Sequence, residues 1–199
     1  MRDTLTFPST RSQAAPAVWR RYFELTKPKV VALITFTAMV GTLMASGGVP
    51  PLGTLAWASA GIALAAASAA TLNHVLERHI DAQMARTSAR PLPAGRVSRG
   101  RAIALAAVLA ALAMGILVAL VNVVTALLTF VSLIAYAGLY TLWLKHATPQ
   151  NIVIGGVAGA MPPVLGWTAI TGRVDANALL LFRNAAPDRS CRCGCFASR

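Results

Sequence analysis

A run of 43 residues without a charged side chain, from Ala102 to Leu144, constrains this chain more than any other feature. One membrane-crossing helix needs about 20 apolar residues, so the run is long enough for two. The pair Val121-Asn122 near its middle, with the polar amide of Asn122, is where we expect the chain to turn. Only 12% of the residues are charged, against about 25% in a soluble domain. We predict an all-α, polytopic transmembrane helix bundle.

Apolar segments before and after this run predict the other spans. The second should continue through Asp81, because no helix breaker follows it. Met161-Pro162-Pro163 should interrupt the fifth, since proline disrupts a helix interior. The polar residues 82–101 are predicted to form a connecting loop. The pattern gives about five complete spans plus the start of a sixth, with the segments outside the 43-residue run expected at Val30–Met44, Gly53–Leu72, Ile152–Ile170 and Ala178–Phe182.

The positive charges are distributed unevenly along the chain, which carries 18 Lys and Arg against 6 Asp and Glu, a formal net charge of +12. Thirteen of these cations lie before the first span or in the segments after the second and fourth spans. The loops on the other side contain only Arg173. Positively charged loops stay on the cytoplasmic side, so we predict a cytoplasmic N-terminus. Topology thereby accounts for much of the charge, and nucleic acid is not an expected partner.

The acidic residues point to a site at the end of the second span. Glu77 and Asp81 are the only acids between Leu25 and Val174, and Asn73 lies four residues before Glu77. A spacing of four places the three side chains in one stripe along a helix, where the two carboxylates would repel. Mg²⁺ suits such oxygen ligands and commonly binds substrate phosphates as well. From spacing alone, a solvated helix end remains an alternative to a metal site.

The segment after this stripe is rich in arginine, with Arg86 and Arg90 nearest. Acids that hold Mg²⁺ beside guanidinium groups, at the surface of a membrane, suit a diphosphate with an apolar tail. Two alternatives stay open from the residues alone. The arginines could serve orientation only, and Lys145 could be an interfacial anchor.

The same residues belong to a longer pattern. It runs from Asn73 through Glu77 and Asp81 to Arg86 and Arg90, followed by Pro91-Leu92-Pro93. This pattern resembles the first acidic motif and following loop of the UbiA superfamily of intramembrane prenyltransferases. Residues 148–156 and 159–167 resemble the branch of that superfamily that farnesylates heme.

The resemblance implies a helical bundle in the bacterial cell (inner) membrane. It implies transfer of the farnesyl group of farnesyl diphosphate to a vinyl group of heme B (protoheme IX), giving heme O. Asn73, Glu77 and Asp81 would be the catalytic residues and would hold Mg²⁺, and the diphosphate would be bound by Arg86, Arg90 and Lys145. Besides farnesyl diphosphate, heme B and the lipid bilayer, a heme A synthase or oxidase assembly proteins are candidate partners.

The sequence pattern changes after Phe182. Residues 183–199 contain all three cysteines and four of the eighteen basic residues. We therefore predict a cytoplasmic N-terminal tail at 1–18, the N-terminal part of a prenyltransferase membrane domain at 19–182 and an aberrant tail at 183–199. The second acidic motif that the family would supply does not follow. The hypothesis is a frameshifted or truncated reading frame, which makes the chain a candidate inactive fragment.

Two other function classes remain open at this point. A UbiA-type prenyltransferase acting on an aromatic or quinone precursor would share the diphosphate chemistry. A non-enzymatic membrane protein fragment would lack Mg²⁺-dependent binding of farnesyl diphosphate.

Overall fold

The computed structural model of the chain describes residues 18–83, 97–138 and 159–186, and these contain helices and turns but no strand. Three of the helices are long and apolar enough to cross a membrane, as expected for a polytopic helix bundle. The predicted total of five complete spans stays a prediction, because residues 139–158 lie outside the described part. The helices are α1 (Val18–Leu25), α2 (Pro28–Ser46), α3 (Leu52–Gln83), α4 (Arg99–Leu120), α5 (Val123–Ile134), α6 (Met161–Thr171) and α7 (Ala176–Ala185).

The first predicted span forms α2, and both of its ends follow from local sequence. Pro28 occupies the first turn, where its missing N–H is not needed. The helix ends at Gly47, which adopts the left-handed conformation with φ 59°. Glycine reaches this conformation without steric cost, so the chain can turn there towards α3.

The third helix confirms that the second span continues past its apolar part. It contains 32 residues without interruption and includes Asn73, Glu77 and Asp81 in its last three turns. At 1.5 Å per residue it is about 48 Å long, more than the ~30 Å of a hydrocarbon core. We call the end of the bundle with Asn73 and Glu77 the polar end, and the end with the turn at Gly47 the opposite end.

The loop predicted at 82–101 is too long at both of its ends. Gln83 still belongs to α3, and α4 begins at Arg99. The reason is local: the Ser98 hydroxyl accepts a hydrogen bond from the Arg101 N–H at 3.4 Å, which caps the first turn of α4. The exposed Arg99 and Arg101 therefore extend this helix beyond its apolar residues.

At Met161-Pro162-Pro163, where an interruption of the fifth span is expected, the structure shows the start of a helix. Ala160 precedes the first turn of α6, and prolines occupy the first helical positions. At its other end, Gly172 adopts φ 65° and begins the predicted turn to α7. The Asp175 carboxylate accepts from the Ala178 N–H at 3.2 Å and caps α7, which continues to Ala185.

Small residues let the helices approach closely, as is common in membrane proteins. A Cβ atom on Gly166 of α6 would collide with the Ala38 carbonyl oxygen of α2, and one on Gly41 of α2 would collide with the Pro163 carbonyl oxygen of α6. The backbones of α2 and α6 are therefore in direct contact. Between α3 and α4, the buried Ser68 hydroxyl donates to the Ala106 carbonyl oxygen at 2.8 Å.

Asn122, the predicted divider of the long apolar run, joins α5 to α6. Its side-chain oxygen accepts from the Thr125 N–H at 2.7 Å and so caps α5. Its side-chain nitrogen donates to the Thr168 carbonyl at 2.9 Å and to the Ala169 carbonyl at 3.3 Å. These carbonyls belong to the last turn of α6, and the Thr168 carbonyl also accepts from the Gly172 N–H at 2.9 Å. One side chain thus satisfies the ends of two helices.

We expect Asn122→Ala to lower the free energy of unfolding by about 2 kcal/mol, because it removes a helix cap and two interhelical hydrogen bonds. The measurement is denaturant unfolding in mixed micelles, followed by circular dichroism. Asn177→Ala, at an exposed position of α7, is the matched control and should change stability by less than about 0.5 kcal/mol. Equal losses in the two variants would contradict the joining role of Asn122.

Candidate functional site

Three polar side chains meet at the polar end of the bundle, where α2 begins and α3 leaves its apolar part. With the Asn73 amide oriented to suit its neighbours, its nitrogen donates to the two Glu77 carboxylate oxygens, at 2.8 Å to Oε1 and 3.3 Å to Oε2. Its oxygen accepts from Lys27 Nζ at 2.9 Å. Asn73 is 7% exposed and Glu77 is 9% exposed. We call Lys27, Asn73 and Glu77 the polar cluster.

The backbone of Lys27 holds an uncommon conformation. Its φ of 48° lies in the left-handed region, and no other non-glycine residue among those described has a positive φ. Such a conformation costs of order 1–3 kcal/mol and persists where the surrounding structure imposes it. Here it redirects the chain from α1 into α2, while the Lys27 carbonyl oxygen accepts from the N–H groups of Val30 and Val31. The same turn brings the ammonium group against Asn73.

A cavity of about 450 Å³ extends from Lys27 into the bundle. Its walls come from α2, α3, α5 and the start of α6, and they are mainly apolar. Along α3 the wall consists of Ile62 and of alanines at positions 65, 66, 69 and 70, whose small side chains leave the space open. Ligand pockets typically measure about 300 to 1,000 Å³, so this volume suits a ligand with an apolar chain.

Tyr136 lines the same cavity from an irregular part of the backbone. α5 is followed by a π-helical turn at residues 135–138. Turns of this kind insert an extra residue into a helix and are frequent at functional sites. Tyr136 lies in this turn and contributes to the cavity wall together with Lys27 and Gly159.

The structure brings together two of the residues predicted for the site. Asn73 and Glu77 share one side of α3 and are hydrogen-bonded, and their burial contradicts the alternative of a solvated helix end for this pair. Asp81 follows one helical turn later on the backbone of α3, while its side chain is outside the described residues. The other predicted positions, Arg86, Arg90 and Lys145, also lie outside them. No cluster of three or more His, Cys, Asp or Glu occurs within the described ranges.

Lys27 is the site residue that sequence reasoning missed. It was counted only among the cations that orient the protein in the membrane. The available signal was its place directly before Pro28, because the residue before a proline avoids the α-helical conformation and therefore marks a helix boundary. The distance of 46 residues between Lys27 and Asn73 hides the contact from any local pattern.

The sequence pattern of the UbiA prenyltransferase family matches residues 34–184, which include most of α2 and all of the cavity-lining part of α3. The chain belongs to the UbiA prenyltransferase family. Asn73 and Glu77 of the polar cluster lie within the matched region of this UbiA chain, and Lys27 precedes it.

One curated relative is similar to this chain over most of its length. The protoheme IX farnesyltransferase of Methylococcus capsulatus is 59% identical to this chain over 177 residues. The match covers 87% of this chain and 59% of the relative, so the chain spans less than two thirds of that protein's length.

Two solved structures share the fold of this UbiA chain. A digeranylgeranylglyceryl phosphate synthase in membranes matches with a TM-score of 0.75 at 19% identity, over 85% of this chain and 58% of the other. A UbiA homolog from Archaeoglobus fulgidus, solved with DMAPP and Mg²⁺, matches with a TM-score of 0.62 at 22% identity, over 83% and 60% of the two chains. The predicted all-α UbiA bundle is thereby confirmed.

Proposed function

We propose that this chain is part of a prenyltransferase that moves the farnesyl group of farnesyl diphosphate to a vinyl group of heme B, giving heme O. The observation that carries the proposal is the polar cluster beside an apolar cavity. The cluster contains charged groups that can bind a diphosphate and its metal, and the cavity has space for a prenyl chain. The relative from Methylococcus capsulatus, named as a protoheme IX farnesyltransferase, supports heme as the acceptor.

The donor set of the cluster fits Mg²⁺. Mg²⁺ is bound by oxygen ligands, usually one or two carboxylates together with substrate phosphates. Glu77 supplies a buried carboxylate, and Asp81 supplies a second acid one turn further along α3. Asn73 is the third proposed ligand, although its oxygen here accepts from Lys27. The Archaeoglobus fulgidus homolog, solved with DMAPP and Mg²⁺, supports a divalent metal at such a site.

Each part of the site has a separate task in the proposed reaction. When the allylic C–O bond breaks, negative charge collects on the departing diphosphate, where the Lys27 ammonium would bind it beside Arg86, Arg90 and Lys145. Bound Mg²⁺ would supply further stabilisation of this charge. The apolar cavity would exclude water from the farnesyl chain. The new C–C bond joins the farnesyl C1 to the vinyl terminus, and water adds to the neighbouring carbon with loss of a proton.

The decisive experiment expresses the chain in a bacterial strain that lacks its own heme O synthase and analyses the extracted hemes. Heme O is the expected product and would contradict the hypothesis that the chain is an inactive fragment, and Asp81→Asn should abolish it. Undiminished heme O from the Asp81 variant would refute the metal role. A prenylated quinone precursor in place of heme O would refute heme as the acceptor, and no prenylated product would refute transferase activity of this chain.

The proposed function also predicts the membrane in which the protein resides and its orientation there. The long apolar helices and the family identify a multi-pass membrane protein. We further propose that it resides in the bacterial inner membrane with the polar end facing the cytoplasm, because most Lys and Arg residues flank this end. A cysteine-accessibility assay at an introduced N-terminal cysteine tests this orientation.

We expect Lys27→Met to weaken farnesyl diphosphate binding about ten-fold or more, because a hydrogen bond to a charged group contributes about 1.5–3 kcal/mol. The measurement is a titration of the purified chain in nanodiscs with radiolabelled farnesyl diphosphate. Lys29→Met removes an exposed cation two residues away and serves as the control. If both variants lose affinity equally, the loss reflects the lower net positive charge, and the proposal that Lys27 itself binds the diphosphate is wrong.

A further inference from the structure

We propose that Lys27 couples the binding of Mg²⁺ to the binding of the diphosphate. In the structure its ammonium group holds the Asn73 amide in an orientation that does not suit a metal, and it moves to the diphosphate when the substrate binds. This inference rests on the proposed function, because it concerns the order of binding events at the same site.

The orientation of the Asn73 amide is fixed from both of its ends. The nitrogen donates to the two Glu77 carboxylate oxygens at 2.8 and 3.3 Å, and the oxygen accepts from Lys27 Nζ at 2.9 Å. An amide nitrogen is a donor only, whereas Mg²⁺ requires oxygen ligands. The amide therefore directs the wrong atom towards Glu77 for a metal that both residues share, and its oxygen contacts an ammonium group instead.

Burial strengthens this arrangement. Asn73 and Glu77 are both buried, and polar interactions away from water are stronger than those in bulk solvent. An ammonium group and a divalent cation on the same amide oxygen would be close neighbours of like charge, so they would repel. Metal binding through Asn73 therefore requires that the Lys27 ammonium leaves its oxygen.

Lys27 has a second place to bind. Its side chain also lines the cavity, where it is the only charged residue among the described ones that form the wall. Lysine carries its charge on a flexible four-carbon stem, and its ammonium binds phosphate as a point charge. The N–H groups of Val30 and Val31 hold the Lys27 carbonyl oxygen, so the movement is confined to the side chain. A diphosphate at this end of the cavity can thus take over the ammonium.

Transfer of the ammonium frees the Asn73 amide to turn. Rotation about the last bond of its side chain exchanges oxygen and nitrogen, which brings the oxygen to the side of Glu77. A carboxylate and an amide oxygen then face the same space, a donor set that suits Mg²⁺. Coupling between two ligands is reciprocal, so the diphosphate and the metal should raise each other's affinity by the same factor.

The test measures metal affinity of the full chain in nanodiscs of neutral lipid, with and without farnesyl diphosphate. Mn²⁺ replaces Mg²⁺, because it suits the same oxygen ligands and its free concentration follows from its electron paramagnetic resonance signal. Lys27→Met should raise the affinity for Mn²⁺ alone by about ten-fold or more, since the metal no longer competes with a hydrogen bond from a charged group. Lys29→Met removes the same charge from an exposed position and should change this affinity by less than about two-fold.

The unaltered chain supplies an independent measurement. Farnesyl diphosphate should raise its Mn²⁺ affinity by at least about ten-fold beyond the complex formation measured with empty nanodiscs, and this increase should be about ten-fold smaller in Lys27→Met. If the unaltered chain binds Mn²⁺ equally well with and without farnesyl diphosphate, the inference is wrong, whether or not the variant folds.

The outcomes separate this inference from the proposed function. If farnesyl diphosphate binds but Lys27→Met leaves the affinity for Mn²⁺ alone unchanged, the inference is wrong and the proposed function stands. A lower thermal midpoint in that case identifies Lys27 as a purely structural contact. If Lys29→Met raises the affinity as much as Lys27→Met does, net charge is the cause and the inference is also wrong. If the unaltered chain binds no farnesyl diphosphate in the presence of Mn²⁺, both proposals fail.

Discussion

Replacing Glu77 by glutamine is expected to lower the Mg²⁺-dependent affinity of the chain for farnesyl diphosphate by at least about 100-fold. Even partners that only orient a metal ligand commonly account for 10–100-fold in metal affinity, and Glu77 is a proposed ligand itself. Glutamine keeps the size of the side chain and an oxygen that can accept from the Asn73 amide. The loss should therefore reflect the missing charge rather than a collapsed site. Titrations of the purified chain with and without Mg²⁺ give both affinities.

Glu24→Gln is the matched control, because it makes the same change at an exposed acid on α1. It should leave the affinity within about two-fold, as expected for a surface charge that contributes little. The thermal midpoint of both variants, recorded on the same samples, shows whether they fold. An affinity that falls equally with and without Mg²⁺ in Glu77→Gln would contradict a metal-binding role for this carboxylate.

The second large effect is expected at the contact between α2 and α6. We expect Gly166→Ala to lower the free energy of unfolding by about 3 kcal/mol, at the upper end of what overpacking typically costs. The added Cβ would collide with the backbone of Ala38, and a backbone cannot move aside as a flexible side chain can. The two helices must then separate. Unfolding in mixed micelles, followed by circular dichroism, measures the change.

Gly115→Ala supplies the control for this substitution. Gly115 lies within α4, and a Cβ there would meet no atom within 4 Å. Alanine should increase stability at this position by up to about 1 kcal/mol, because it has the higher helix propensity. If Gly166→Ala is as stable as the unaltered chain, the backbone contact between α2 and α6 is not as close as described.

The course of the helices could be predicted from the sequence because each depends on local composition. The apolar run from Ala102 was long enough for two helices, and Asn122 marked their division because a polar side chain can cap a helix. The predicted loop was wrong at its second end because Arg99 and Arg101 look like loop residues, whereas the Ser98 cap places them in α4. Helix ends of this kind depend on single hydrogen bonds, which composition does not reveal.

The candidate site could be predicted only where its residues follow one helix. Asn73 and Glu77 were identified because a spacing of four places them on the same side of α3. Lys27 reaches them from another helix through a left-handed turn, and no periodic pattern encodes that approach. The cavity depends on which faces of α2, α3 and α5 meet, a property of tertiary packing. Its wall at Ile62 was therefore not predictable from the sequence.

The close contact between α2 and α6 also bears on how the protein is made. More than one hundred residues separate the end of α2 from the start of α6. At roughly 5–20 residues per second, the ribosome adds α6 on the order of ten seconds after α2 has emerged. During that interval the α2 surface around Gly41 faces lipid or the insertion machinery. Biosynthesis therefore separates membrane insertion of this first long helix from the step that completes its packing.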